Sequence, residues 1–344
     1  MNRRAILYAL LSAALFGAST PLAKALVREV APLMLAGLLY LGSGLGLALW
    51  RALGRTKGEP AAPVAKQDLP WLAAAIACGG VAGPALLMYG LQRTDGSSAS
   101  LLLNLEAVFT ALLAWVVFRE NVDRRVFLGM AAIVAGGAIL SAGQFSAGSG
   151  ALFIGGACLC WALDNNLTRR VSGGDAVVLA ALKGLAAGPV NLALAWSQGA
   201  HLPALALAGA VLLLGLAGYG VSLVLFIRAL RDLGTARTGA YFSVAPLFGV
   251  IVSLAIWPVL PGATFWLAAA LMAIGVWLHV RERHEHAHTH EPLAHAHSHR
   301  HDDHHRHAHD FAWDGEEPHT HAHRHDEITH EHPHYPDVHH RHAH

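Results

Sequence analysis

The chain has 344 residues, 54% of them hydrophobic and only 14% charged, with a formal net charge of +1. A soluble domain carries about 25% charged residues, so a soluble enzyme is excluded for most of the chain. The near-neutral balance excludes a nucleic-acid binder. The mean hydropathy of +0.41 conceals two unlike parts. Residues 281–344 hold 19 of the 47 charged side chains and 23 of the 25 histidines, so everything before them is more apolar still.

A bilayer core about 30 Å thick takes roughly 20 apolar helical residues. Such runs are predicted at 5–25, 31–50, 70–91, 97–118, 125–143, 149–168, 175–196, 204–227, 237–258 and 263–280, ten in all. The first follows Arg3 and Arg4 and resembles a signal peptide. With nine further spans behind it, it is read as an uncleaved helix. Short connections make neighbouring helices antiparallel. With the N-terminus in the cytoplasm, one side collects sixteen Lys and Arg, and the other only Lys24, Arg28 and Arg93. The positive-inside rule then places both termini in the cytoplasm. Cys78, Cys158 and Cys160 lie in apolar runs without CxxC spacing, so buried inert thiols are expected rather than a disulfide or thiolate site. No GxxxxGK[ST] loop is present, which argues against ATP-driven transport by this chain.

The two halves resemble each other. Ala99–Arg119 (ASLLLNLEAVFTALLAWVVFR) aligns with Gly239–Val259 (GAYFSVAPLFGVIVSLAIWPV), and Phe16–Lys24 (FGASTPLAK) with Trp161–Arg169 (WALDNNLTR). Five spans per half is an odd number, so the halves are inverted in the membrane. Inverted repeats are a transporter signature, with the substrate site expected near the midplane between them. The fold class read from this is an all-α membrane protein of ten helices in two inverted five-helix repeats (residues 1–143 and 144–280), followed by a disordered cytoplasmic tail (281–344).

This duplication, the aromatic–small–x6–Lys/Arg pattern opening each half, and the segment Phe118-Arg119-Glu120-Asn121 resemble the drug/metabolite transporter superfamily, EamA type. The resemblance covers about residues 1–280. It implies a polytopic inner-membrane carrier for a small metabolite, often an exporter, working without nucleotide hydrolysis and not an enzyme. Members often carry a proline midway along the fourth helix of each half. The second half has Pro246 there, and the first has Glu106 instead.

Ionisable residues inside a span are expensive and are functional candidates by default. Glu106 lies about ten residues into its span, which at 1.5 Å per residue is roughly 15 Å, or mid-membrane. Such a carboxyl suits proton uptake and release, or direct cation binding; the alternative is a structural glutamate bonded to a neighbouring helix. Asn104, a further substrate-contact candidate, sits about 200° round the same helix, at 100° per residue, so the two share no obvious ligand. Asp164, Asn165 and Asn166 form a polar run one turn from the cytoplasmic end of the sixth span. Trp161 and Asn165 share a face there, as do Asp164 and Thr168. They are read as substrate contacts or a gate, against an interfacial helix end bonded to headgroups. Lys183 lies at a depth matching Asp164, so an Asp164–Lys183 pair is expected, serving transport or structure alone. Tyr241, Tyr40, Asn191 and Ser243 are further cavity candidates, against satisfied helix–helix contacts or interfacial anchors. Lys24 is expected to snorkel to the outer interface.

From His284 onward histidine alternates with small or polar residues. The metal-ligand candidates are His284, His286, His288, His290, His295, His297, His299, His301, His304, His305, His307, His309, His319, His321, His323 and His325. Low hydrophobicity predicts no stable fold for this tail without a ligand. Alternate positions put imidazoles on one side of an extended chain, about 7 Å apart. Neutral imidazole suits Ni, Zn, Co or Cu(II). No cofactor is required for the body. The tail is read as a buffer or sensor that gates the carrier, a tract feeding exported metal into the pore, or an incidental extension. The expected partners are the lipid bilayer, a small-molecule substrate and divalent metal ions, with no nucleic acid; a homodimer stays open. The alternatives to a proton-coupled metabolite carrier are a divalent transition-metal efflux carrier and a membrane-embedded metal sensor.

Overall fold

The computed structural model describes residues 3–53, 69–118, 124–142, 148–171, 175–280, 285–290, 293–299, 319–325 and 328–333. Inside a bilayer the backbone has no water to bond, and a helix satisfies its own peptide groups. The body is accordingly helical: α1 (Arg3–Leu26), α2 (Pro32–Ala52), α3 (Leu69–Ala75), α4 (Gly83–Arg93), α5 (Gly96–Leu102), α6 (Leu105–Phe118), α7 (Arg124–Ala142), α8 (Gly148–Val171), α9 (Ala176–Ser197), α10 (Leu205–Gly215), α11 (Ser222–Phe242), α12 (Ala245–Ile256) and α13 (Ala263–Val280). Two stretches wind as π-helix. Ile76–Ala82 joins α3 to α4, and Leu216–Val221 joins α10 to α11.

Among the described residues, five helices are long and apolar enough to cross a membrane: Arg4–Leu26, Pro32–Ala52, Leu69–Arg93, Ala176–Ser197 and Leu205–Arg231. Shorter apolar helices run at Phe127–Ile139, Ala245–Ile256 and Ala263–Leu278. The connection expected at 228–236 is helical and belongs to α11. That stretch lacks proline, and its one glycine does not stop the helix.

The two halves follow one plan. α1 and α8 both have 24 residues. The π segment recurs in the third helix of each half. A break recurs in the fourth: α5 ends at Leu102 before α6 begins at Leu105, and α11 ends at Phe242 before α12 begins at Ala245. The packing is reciprocal across the halves. α2 lies on α9, α7 on α13, α1 on α11 and α12, and α8 on α4 and α6. Small residues let backbones approach closely in membranes. At the α2–α9 contact a Cβ on Gly184 would lie 2.6 Å from the Tyr40 carbonyl oxygen, so only glycine fits. Met34, Leu35, Leu39, Leu87, Met88 and Leu91 are fully buried in the main core, while Leu7, Leu45, Leu152, Leu205 and Leu213 face outward. Exposed leucine costs nothing where the surroundings are lipid.

Residues Arg283–Tyr335 form a compact unit of their own. Its described segments depart from the expected lack of regular structure. β1 (Glu285–His290) pairs antiparallel with β4 (Ile328–Pro333), and β2 (Leu293–His299) with β3 (His319–His325). The reason is the period of two: residues alternating in character along an extended chain fit a strand. The register sets His286 opposite His332, His288 opposite His330, and His295, His297 and His299 opposite His323, His321 and His319.

Candidate functional site

α8 carries its polar run because nearly every member finds a partner. Thr168 Oγ1 donates to Asp164 Oδ1 at 2.9 Å. Lys183 Nζ, from α9, donates to Asp164 Oδ1 at 2.5 Å and to Thr168 Oγ1 at 2.7 Å. The ammonium and carboxylate anticipated as a pair are therefore in contact, and only 2% and 8% exposed. A buried pair persists only where further hydrogen bonds complete it, as Thr168 does here.

The π segment makes room for this carboxylate. A Cβ on Gly79 would overlap the Asp164 side chain, so the absence of one is what admits it. π winding also releases carbonyls from the helix ladder. Gly79 O accepts from Tyr40 Oη at 2.6 Å and from Trp161 Nε1 at 3.0 Å. Gly80 O accepts from Asn191 Nδ2 at 3.0 Å. Glu106 falls in the first turn of α6, where the helix dipole favours an acid. Asn165 Nδ2 donates to Glu106 Oε1 at 2.8 Å.

These groups surround a small cavity of about 70 Å³, whose lining includes Phe16, Tyr40, Glu106, Trp161, Asp164, Asn165, Lys183, Tyr219, Phe226 and Phe242. It has room for water but not for a metabolite in this conformation. One wall is aromatic. Phe16 meets Trp161 edge-on at 5.5 Å and Tyr219 at 5.8 Å, Tyr40 lies 5.4 Å from Tyr219, and Phe226 lies 4.9 Å from Phe242. Offset and edge-on rings at such spacings are favourable. Ser12 and Ser222 join α1 to α11 beside the cavity, each hydroxyl donating to the other's carbonyl, at 2.7 and 2.9 Å. Toward the Lys24 end of α1 the way is narrow. Gly17 packs on the Ala245 carbonyl, and a Cβ on Gly249 would sit 2.9 Å from the Gly17 carbonyl oxygen.

Five candidates thus converge: Glu106, Trp161, Asp164, Asn165 and Lys183. Three do not. Asn104 sits at the α5–α6 break, where its Nδ2 donates to the Leu101 carbonyl at 3.0 Å beside its own backbone N–H at 3.1 Å. Asn166 turns to the opposite face and donates to Ala162 O, one turn back, at 2.8 Å. Tyr241 packs against a separate cluster of Ala5, Ala9, Ala229 and Leu233. Lys24 does not snorkel. It is 9% exposed, and its ammonium bonds the Leu91 carbonyl at the end of α4. Of the three thiols expected to be buried, Cys158 is, with Sγ 3.8 Å from Leu102 O at the same break, while Cys78 and Cys160 are only half-buried. Phe16, Ser12, Tyr219, Ser222, Phe226 and Phe242 were missed. Only Phe16 carried a signal, as the residue aligned with Trp161.

Among the described residues, no three His, Cys, Asp or Glu side chains are grouped to hold a metal. His284, His301, His304, His305, His307 and His309 lie outside the described residues. For the other candidate histidines of the tail only backbone register is described.

A helical body of two repeats, with a buried ion pair and an amide–carboxylate bond around one cavity, is the architecture of a multi-pass membrane transporter. The profile of the EamA-like transporter family matches residues 3–142 and again 148–281, and the chain belongs to that family. A Methanothermobacter thermautotrophicus protein named only as an uncharacterized transporter is 30% identical over 261 residues, covering 70% of this chain and 76% of that one. The uncharacterized transporter YyaM of Bacillus subtilis is 24% identical over 50% of this chain and 60% of its own length. A probable 4-amino-4-deoxy-L-arabinose-phosphoundecaprenol flippase subunit, ArnE, of Pseudomonas fluorescens is 35% identical over 85 residues, 25% of this chain and 74% of that one. A crystal structure superposes with a TM-score of 0.59 over 80% of this chain and 94% of the other, at 18% identity, and so shares the fold.

Proposed function

We propose that this chain is a secondary carrier of the inner membrane that exports a small metabolite by alternating access, with both termini in the cytoplasm and ten spans in repeats 1–143 and 144–280. The observation that carries the reading is the meeting of Glu106–Asn165 and Asp164–Lys183 around one cavity at the seam of the repeats. Alternating access moves one repeat against the other around such a site. Glu106 is the coupling carboxylate, taking up and releasing a proton, with Asn165 as its sensor. Asp164 and Lys183 exchange their mutual bond for polar groups of the cargo, and Trp161 packs against its apolar part. The tail binds divalent Ni, Zn, Co or Cu through its histidines and buffers or senses metal beside the carrier.

The test uses cells expressing the intact chain, the chain truncated after Arg283, and Glu106→Gln. Released metabolites and total cell Ni, Co, Zn and Cu are measured at equal expression. The proposal expects a metabolite released by the intact chain and lost in Glu106→Gln, with any metal change following the tail alone. A drop in cell metal that Glu106→Gln abolishes overturns it in favour of metal efflux. No flux of either kind leaves a membrane-embedded sensor.

A further inference from the structure

The three basic residues on the charge-poor side, Lys24, Arg28 and Arg93, all line one cavity of about 680 Å³. Interfacial anchors have no reason to share a cleft; they spread round the perimeter to meet lipid. Arg28 follows Lys24 in the turn just past the end of α1, and like charges held that close repel. Something other than anchoring offsets that cost.

The cations are held rather than loose. Lys24 is tied to Leu91 O, and Arg93 donates to Tyr89 O at 2.9 Å with its guanidinium over the Phe153 ring at 5.1 Å. Both keep further N–H groups to give. Arg28 is exposed and makes no ion pair among the described residues. One carboxylate lines the cavity, Asp95, and its Oδ1 already accepts from Ser98 N at 2.8 Å and Ser97 Oγ at 2.7 Å as the cap of α5. Three cations thus face one engaged anion. Thr94, also in the lining, is 5% exposed and its hydroxyl lies against Gly150, so the hydroxyls left to meet a ligand include those of Ser253 and Thr264. Gly262 and Thr264 bring the start of α13, an 18-residue helix whose free N–H groups favour anions.

We infer that this cavity is a binding site for a phosphate-type oxyanion, carried by a free solute or by a lipid headgroup. Guanidinium forks and hydroxyls match the three oxygens of such a group. The site stands apart from the central cavity. Phe16 and Lys24 are eight residues apart on α1, roughly 12 Å at 1.5 Å per residue. It rests on the carrier reading only for its role as an outer vestibule; binding itself does not depend on that reading.

The experiment titrates the purified full chain in neutral detergent, by calorimetry, with inorganic phosphate, with dihexanoyl phosphatidylglycerol and with dihexanoyl phosphatidylcholine. Intact chain, Arg28→Gln/Arg93→Gln and Arg51→Gln are compared, each checked for unchanged melting. Binding of phosphate, or preference for the anionic over the zwitterionic lipid, is expected, and it says which source supplies the anion. The double variant weakens it tenfold or more, while Arg51→Gln, at the opposite end of the bundle, leaves it alone. No binding of any probe, or binding indifferent to the double substitution, overturns the site. Glu106→Gln retains the binding, so failure of the central mechanism and failure of this site are separable.

Discussion

α1 and α8 open the two halves at equal length and in matching places, yet they carry different chemistry. Where α8 has Asp164, Asn165 and Asn166, α1 has Ser19, Thr20 and Pro21. Each lies against the π segment of the other half: Asp164 on Gly79, Ser19 on Gly218. The fourth helices differ likewise. Pro246 starts α12 where its missing N–H is not needed, and Glu106 occupies the same point of α6. The backbone plan is duplicated, while the ionisable groups are concentrated around one of its two copies.

That contrast can be broken most severely at Lys183. Lys183→Met leaves Asp164 buried without its cation and is expected to cost about 3–5 kcal/mol, read as a lowered melting temperature in detergent. Adding Asp164→Asn recovers most of it. In α1, Ser19→Ala costs about 1 kcal/mol or less, since it removes one neutral bond. An equal loss at both positions contradicts the asymmetry.

Next in size is the π segment. Gly79→Ala pushes a methyl into Asp164 and is expected to cost about 1–3 kcal/mol by overpacking. Gly218→Ala, whose methyl meets the Ser19 side chain at 2.6 Å, displaces no ion pair and costs less. Melting of the two variants side by side orders them.

Glu106→Gln separates stability from transport. It keeps a bond to Asn165, so stability changes by less than about 1 kcal/mol while transport is lost. A large melting shift would mean that the glutamate is structural.

The smallest effect lies outside the membrane. Asp175 caps α9 by accepting from Val177 N at 2.9 Å and Val178 N at 3.3 Å, and it pairs with Arg51. Partial burial pushes its carboxyl up, but the Arg51 hydrogen bond and the two amides outweigh this and hold it below the usual carboxylate value. Its stabilisation is therefore complete above the unfolded value of about 3.9 and fades as pH falls through the lower folded one. The Arg51 side chain is 47% exposed, so the pair is worth about 1 kcal/mol or less. The melting difference between Asp175→Asn and the parent should shrink on acidification.

Much of the arrangement was legible because apolar length and repeated patterns report spans directly. The Asp164–Lys183 contact followed from matching depth along adjacent helices. Asn104 and Asn166 misled because an asparagine that serves a backbone carbonyl looks, in sequence, like one that faces a ligand. The π segments were invisible: IACGGVA and LAGYGV are ordinary membrane-helix composition, and only tertiary packing winds them wider. The aromatic wall escaped for a similar reason. Tyr219 lies in the π segment that leads into α11 and Phe242 at the far end of α11, and no spacing rule joins them.

Gly79 offers a consequence for observing the protein at work. Its single carbonyl oxygen receives Tyr40 from the first repeat and Trp161 from the second, filling both lone pairs. Any rocking of one repeat against the other must stretch or release one of these two donors. An isotope label on that one carbonyl would therefore give an infrared band whose frequency rises as a donor departs. A single bond vibration thus becomes a clock for the transport cycle.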